Sequence, residues 1–199
     1  MQEFVLATGN PGKLTEIRAL LADLEIRIHA QSEFSVPEIE ETGLTFIENA
    51  LLKARNASRH TGLPALADDS GLEVDALQGA PGIYSARYAG AGASDADNNR
   101  ALLSALSDVR AGARHARFHC ILAFMRHWQD PIPKLFQGVW PGEILCETRG
   151  SGGFGYDPLF LPDGLSKSSA ELAPEEKNRI SHRGRALAAL RDWLRQSSA

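Results

Sequence analysis

The chain has 199 residues, 43% of them apolar and 23% charged, with a formal net charge of −4. That length can bury a sizeable core, that composition excludes a disordered chain, and no run approaches the roughly 18–20 apolar residues of a membrane helix. The negative balance, with no basic stripe, argues against nucleic acid as a partner and leaves room for a small anionic substrate.

Glu3–Thr8 is predicted as an opening strand, an unbroken apolar run through Phe4, Val5, Leu6 and Ala7. The start Met1-Gln2-Glu3-Phe4 has none of the basic character of a secretory leader. Thr8-Gly9-Asn10-Pro11-Gly12-Lys13 joins the strand to a helix, since Pro11 suits a first turn and Leu14, Ile17, Leu20, Leu21 and Leu24 recur at the helical period. A hydroxyl, an amide, a lysine and free N–H groups at a helix start make an anion site. The same residues serve equally as a plain helix cap with Lys13 in solvent. Ile26–Ala30 reads as a second strand, and a strand-helix-strand opening indicates an α/β sheet.

Glu40-Glu41-Thr42-Gly43 precedes a helix opened by Thr45 with Glu48 three residues on, a capping box. Ile47, Ala50, Leu51 and Ala54 are expected on one face of it, Asn49 and Lys53 on another. Leu63–Ala67 predicts a buried strand ending where Asp68-Asp69-Ser70-Gly71 begins, because isolated charges cannot follow a strand inward. Ligands bind at such carboxyl ends in open α/β sheets. Asp68 and Asp69, beside Glu40 and Glu41, suit a hard divalent cation and a water-activating base; solvated acids and acids complementing a helix dipole are the plainer alternatives.

Gly79-Ala80-Pro81-Gly82 is turn chemistry, Ser94–Leu106 reads as a helix, and Ala116–Phe124 and Lys134–Trp140 read as strands, with Gly142–Glu147 extending the sheet beyond Pro141. Cys120 and Cys146 are expected as buried thiols in a reducing cytoplasm, not as a disulfide. His115, His119 and His127 lack metal-ligand spacing. The glycine-rich Gly150–Gly155 leads into Phe154-Gly155-Tyr156-Asp157, whose rings either stack on a flat base or pack into a core. Pro174, Glu175 and Glu176 open a short helix, and a last helix over Ser181–Leu194 buries Leu187, Leu190 and Leu194. Lys177, His182 and Arg183 stand near these two helix starts. With no repeat and no linker, one domain spanning residues 1–199 is expected.

Taken in order, Thr8–Lys13, Glu40–Gly43, Phe46–Ala50, Ala67–Gly71, Gly82–Tyr88, Gly153–Pro158, Glu176–Asn178 and Ile180–Arg183 resemble the inosine triphosphate pyrophosphatase family, in its bacterial dITP/XTP branch. The resemblance covers nearly the whole chain. It implies an elongated α/β domain with a long, twisted mixed sheet flanked by helices and a central substrate cleft. It implies a cytoplasmic, homodimeric, Mg²⁺-dependent enzyme that cleaves ITP, dITP and XTP to the monophosphate and pyrophosphate. By the same resemblance Thr8, Gly9, Asn10, Pro11, Gly12 and Lys13 hold phosphates with Lys53 assisting. Glu40 and Asp69 manage the metal, with Glu41 and Asp68 as further candidates. Asp69 is also the proton acceptor, Ser70 touches substrate, and Phe154, Gly155, Tyr156, Asp157, Lys177, His182 and Arg183 form the nucleoside pocket.

Chemistry accords with those roles. A carboxylate near a metal can orient and deprotonate water, and lysines neutralise a departing pyrophosphate. Donors such as Arg183 and His182 match the 6-carbonyl of hypoxanthine and xanthine and mismatch the 6-amine of adenine. A pyrophosphatase for other modified nucleotides and a non-catalytic nucleotide sensor are the competing expectations.

Overall fold

The computed structural model describes residues 2–197. Strand β1 (Gln2–Ala7) lies parallel to β2 (Ile26–Ala30) on one side and to β3 (Ala65–Val74) on the other. With β4 (His115–Met125), β5 (Lys134–Ile144) and β6 (Phe160–Pro162), they form one mixed six-stranded sheet in the order β2-β1-β3-β4-β5-β6, with β5 and β6 antiparallel. The helices are α1 (Pro11–Leu20), α2 (Phe46–Thr61), α3 (Asp95–Ala105), α4 (Pro174–Ile180) and α5 (His182–Ser197). Among the described residues no helix is long and apolar enough to cross a membrane.

The chain gathers into two compact units. The first takes the chain through Asp69, Cys120–Gly138 and the residues from Arg183 onward; the second takes Ser70–His119 and Val139–His182. Strands β3, β4 and β5 each give one end to each unit.

In the first unit, successive side chains of a strand point to opposite faces, so β1 serves two cores. Phe4 and Leu6, with Leu66, Cys120, Leu122 and Phe124, pack on Ile17 of α1 and on Ala186, Leu187, Leu190 and Leu194 of α5. Val5 and Ala7, with Ala65, Ala67, Ile121, Ala123 and Met125, pack on Ala50, Ala54 and Ala57 of α2. Small residues on both partners let α2 lie close against the strands. Ile47, expected on that buried face, is instead 41% exposed, while Asn49 takes a buried place. In the second unit, Leu72 and Val74 of β3, Leu102 of α3 and Leu106 just after it, Trp140 and Ile144 of β5, and Tyr156, Leu159 and Phe160 make a separate core.

Strand β3 departs from the sequence expectation. The acids do not end it at Ala67; it continues through Asp68, Asp69 and Ser70 to Val74. Both carboxylates lie inside the fold, Asp68 1% and Asp69 7% exposed, because each meets cations there. Strand β5 likewise runs unbroken through Pro141 to Ile144. Cys120 is buried as expected, but Cys146 is exposed; neither is in a disulfide. His119 has a structural partner, its Nε2 lying 2.6 Å from Glu73 Oε2.

Candidate active site

Adjacent strand residues face opposite ways, so Asp68 and Asp69 cannot share one set of partners. Asp68 points to the side of α1 and α5, Asp69 to the side of α2, and different cations meet each.

The parallel register pairs Ala7 with Ala67, which sets the Thr8 loop beside Asp68. Asn10 caps α1, its Oδ1 accepting from the N–H groups of Gly12 (2.8 Å) and Lys13 (3.2 Å), while Thr8 Oγ1 accepts from Asn10 N–H at 3.1 Å. The capping role is therefore real, yet Lys13 does not stand in solvent. Its ammonium pairs with the Asp68 carboxylate. Arg183, at the start of α5, donates from Nε to Asp68 Oδ2 at 2.8 Å and from Nη1 to Glu16 Oε2 at 2.5 Å. The Cys120 thiol completes the surround, 3.4 Å from Asp68 Oδ2. Burial alone would push the Asp68 carboxyl up, but Arg183 and Lys13 outweigh it and hold it well below the usual carboxylate range.

On the other face, Lys53 of α2 donates from Nζ to Asp69 Oδ1 at 2.6 Å and pairs with Glu41 Oε1 at 2.8 Å. Glu41, not Glu40, is thus the loop acid that meets Asp69 through a shared cation; Glu40 is exposed. Asn49 fixes this loop, its buried Oδ1 accepting from Gly43 N–H at 2.8 Å. The approach is so close that a Cβ on Gly43 would stand 2.6 Å from that oxygen. Burial raises the Asp69 carboxyl above its ordinary value and Glu41 adds to the rise, against the lowering pull of Lys53. Neighbouring acids displaced in opposite directions are suited to different work, one permanently ionised and one able to take up a proton.

In the second unit, Asp157 organises its own loop. Its Oδ2 accepts from Phe154 N–H (2.9 Å) and Lys177 Nζ (2.7 Å), and its Oδ1 from Ser169 Oγ (2.7 Å). Gly153 turns here at φ 72°, and a Cβ on it would meet Asp157 Cγ at 2.9 Å. Lys177, which its place in the sequence would leave to solvent, is buried, with its ammonium 4.9 Å from the Phe154 ring centroid. Of the two expected platform rings only Phe154 keeps an exposed part. Tyr156 belongs to the core and donates its hydroxyl to Ser85 O at 2.8 Å. His182 is buried, stacked on Phe118 with ring centroids 4.8 Å apart. Ser70 opens this unit as a half-buried residue of β3.

A model of the Ham1 family matches residues 4–193. The chain belongs to that family. It is 58% identical over 197 residues to a dITP/XTP pyrophosphatase of Yersinia pseudotuberculosis, covering 99% of this chain and 100% of the relative. A dITP/XTP pyrophosphatase of Pectobacterium atrosepticum is 59% identical over the same length and coverage. Among solved structures, a HAM1 protein from Coxiella burnetii superposes with a TM-score of 0.93 at 54% identity, covering 98% of this chain and 100% of its own.

Within this Ham1 chain, Asp69 and Glu41 are the pair that could hold a divalent cation. Both offer hard oxygen donors, and they already converge on one positive charge, Lys53 Nζ. Among the described residues no group of three or more His, Cys, Asp or Glu side chains is arranged around a metal position. Mg²⁺ takes one or two protein carboxylates and fills its other positions with water and phosphate oxygen, a demand this pair of acids fits. Asp68 is set apart from this pair by its own cations. Glu16, which holds Arg183, carried one signal in the sequence: it lies three residues after Lys13 on the same helix, hence on the same face.

Proposed function

We propose that this Ham1 protein hydrolyses deaminated purine nucleoside triphosphates, dITP, ITP and XTP, to the nucleoside monophosphate and pyrophosphate, and so clears them from the nucleotide pool. The observation that carries this reading is the chain Glu41–Lys53–Asp69, two carboxylates joined through one lysine, with Asp69 raised by burial. Such a carboxylate can accept a proton from an attacking water while the lysine's charge offsets the departing pyrophosphate. Asp69 is the proton acceptor in this account. Mg²⁺, held by Asp69 and Glu41, would supply charge neutralisation at the phosphates. The loop Thr8–Lys13 receives phosphate oxygens, Lys13 being held ready by Asp68. Ser70 assists at the substrate. Phe154–Asp157, Lys177 and His182 handle the nucleoside. Arg183, engaged by Asp68 and Glu16, belongs with these nucleoside-recognition residues in this account.

The relatives named dITP/XTP pyrophosphatase support the substrate class. The 199 residues act as one catalytic domain in this account, because three strands run through both units. A cytoplasmic homodimer, without nucleic-acid or membrane partners, completes it; the net charge of −4 agrees with the absence of a polyanion partner.

The test is a substrate panel with Mg²⁺. Values of kcat/KM for dITP, ITP and XTP should exceed those for ATP, dUTP and dTTP by roughly 10⁴, as expected when a mismatched base leaves buried polar groups unpaired. Pyrophosphate release should stop with EDTA. Equal values across the panel, or a preference for pyrimidines, would overturn the assignment.

A further inference from the structure

Helix α3 holds the aromatic loop from a direction the motifs do not announce. Asp95 Oδ2 accepts from Gly155 N–H at 2.7 Å, and Asn99 Nδ2 donates to Gly155 O at 2.9 Å. The two side chains are four residues apart on one helix face, so a single rigid element grips both polar groups of one glycine. Gly155 has φ 62°, a left-handed conformation that other residues adopt at a cost, with nothing within 4 Å of a Cβ position. Its geometry is therefore set by the backbone and by these two partners, not by crowding.

Asp95 is not needed to start its own helix. Ser94 and Asp97 already form a complete capping box there, with Asp97 N–H on Ser94 Oγ and Ser94 N–H on Asp97 Oδ2 at 2.9 Å. Asn99 is buried and leaves its own Oδ1 without a protein partner while giving Nδ2 to the loop. The next residue back extends the grip to a second motif. Asn98 Oδ1 accepts from Ala89 N–H at 2.8 Å and its Nδ2 donates to Ala86 O at 3.2 Å. Between these loops, Tyr156 donates to Ser85 O, and Ser85 Oγ accepts from Leu72 N–H at 2.8 Å, which ties the assembly to β3.

Taking the nucleotide activity proposed above as given, we infer that Asp95 and Asn99 are positioning residues for nucleoside recognition: they fix Gly155, and through it the orientation of Phe154, for the base of the substrate. Neither touches the reacting phosphates, so their loss weakens binding without slowing chemistry.

The experiment compares Asn99→Asp, Asp95→Ala and Asp95→Asn with the wild type, using ITP and Mg²⁺. Asn99→Asp keeps the shape but turns a donor into a second acceptor facing Gly155 O. Its KM for ITP should rise about tenfold with kcat within about twofold, as when binding shared by ground and transition states is lost. Asp95→Ala should move KM the same way. Asp95→Asn retains an acceptor for Gly155 N–H and should restore KM to within about twofold of wild type. A purely structural role would lower active fraction and kcat together and leave KM unmoved. Unchanged KM in both Asn99→Asp and Asp95→Ala overturns the inference. If Asn99→Asp fails to fold, the Asp95→Ala and Asp95→Asn pair decides by itself. A wild-type enzyme that releases no pyrophosphate from ITP would remove the proposed activity itself, a distinct failure from an active wild type with indifferent variants.

Discussion

Asp68 and Asp69 stand one position apart and do opposite things because a strand turns them to opposite faces. Asp68 is enclosed, with Arg183 and Lys13 as its counter-charges; Asp69 shares Lys53 with Glu41 on the other face. Removing one partner of a buried ion pair leaves an uncompensated charge, whereas removing a base leaves the fold and slows chemistry. Asp68→Asn should therefore cost about 3–5 kcal/mol of stability, read as a lower urea midpoint, since Arg183 and Lys13 both lose its charge. Asp69→Asn should fold normally and lose roughly 10²–10⁴ in kcat. A stable Asp68→Asn protein would refute the tethering role, and near wild-type turnover in Asp69→Asn would refute the base.

Among the elements, those legible in the sequence were the ones whose signals are local. The opening strand and helix, the Thr45-capped α2, the proline-led α4 and the leucine stripe of α5 all follow from spacing and caps a few residues long. The course of β3 was not legible, because the cations that let two acids run inside a strand stand elsewhere in the chain: Lys13 and Arg183, 55 and 115 residues from Asp68, and Lys53, 16 residues from Asp69. The α3 grip on Gly155 is hidden for the same reason, with partners 60 and 56 residues apart. Of the two loop acids, the sequence favoured Glu40 over Glu41 as a metal candidate; in the fold Glu41 pairs with Lys53 and Glu40 is exposed.

One element carries a pH prediction of its own. The turn between β4 and β5 is held by buried Asp130, whose carboxylate accepts from Arg126 Nε and from the N–H groups of Arg126 and Ile132. The hydrogen bond from Arg126, then the backbone N–H groups, outweigh burial and hold the Asp130 carboxyl well below its ordinary value. A depressed acid contributes stability above its unfolded pKa, near 3.9, and loses it as pH falls through the folded value. Asp130→Asn should melt about 2–4 °C below wild type at pH 7, the effect of roughly one net hydrogen bond in a chain of this size. The gap should narrow as pH drops below about 4. A gap unchanged at low pH would mean that the charge is not what holds the turn.

Across the whole molecule, a net charge of −4 coexists with a local gathering of cations. Lys13, Lys53 and Arg183 all belong to the first unit, and each is matched to at least one carboxylate. Such matched pairs are held in place without substrate, so in the proposed activity phosphate oxygens would meet positions already set rather than side chains that must first be ordered. The proposed activity requires water to attack the α-phosphorus while pyrophosphate leaves as one group. The most direct measurement is turnover of ITP with Mg²⁺ in ¹⁸O-enriched water, followed by mass analysis of both products. Label in IMP with unlabelled pyrophosphate is the predicted result; IDP with phosphate, or label carried by the pyrophosphate, would contradict it.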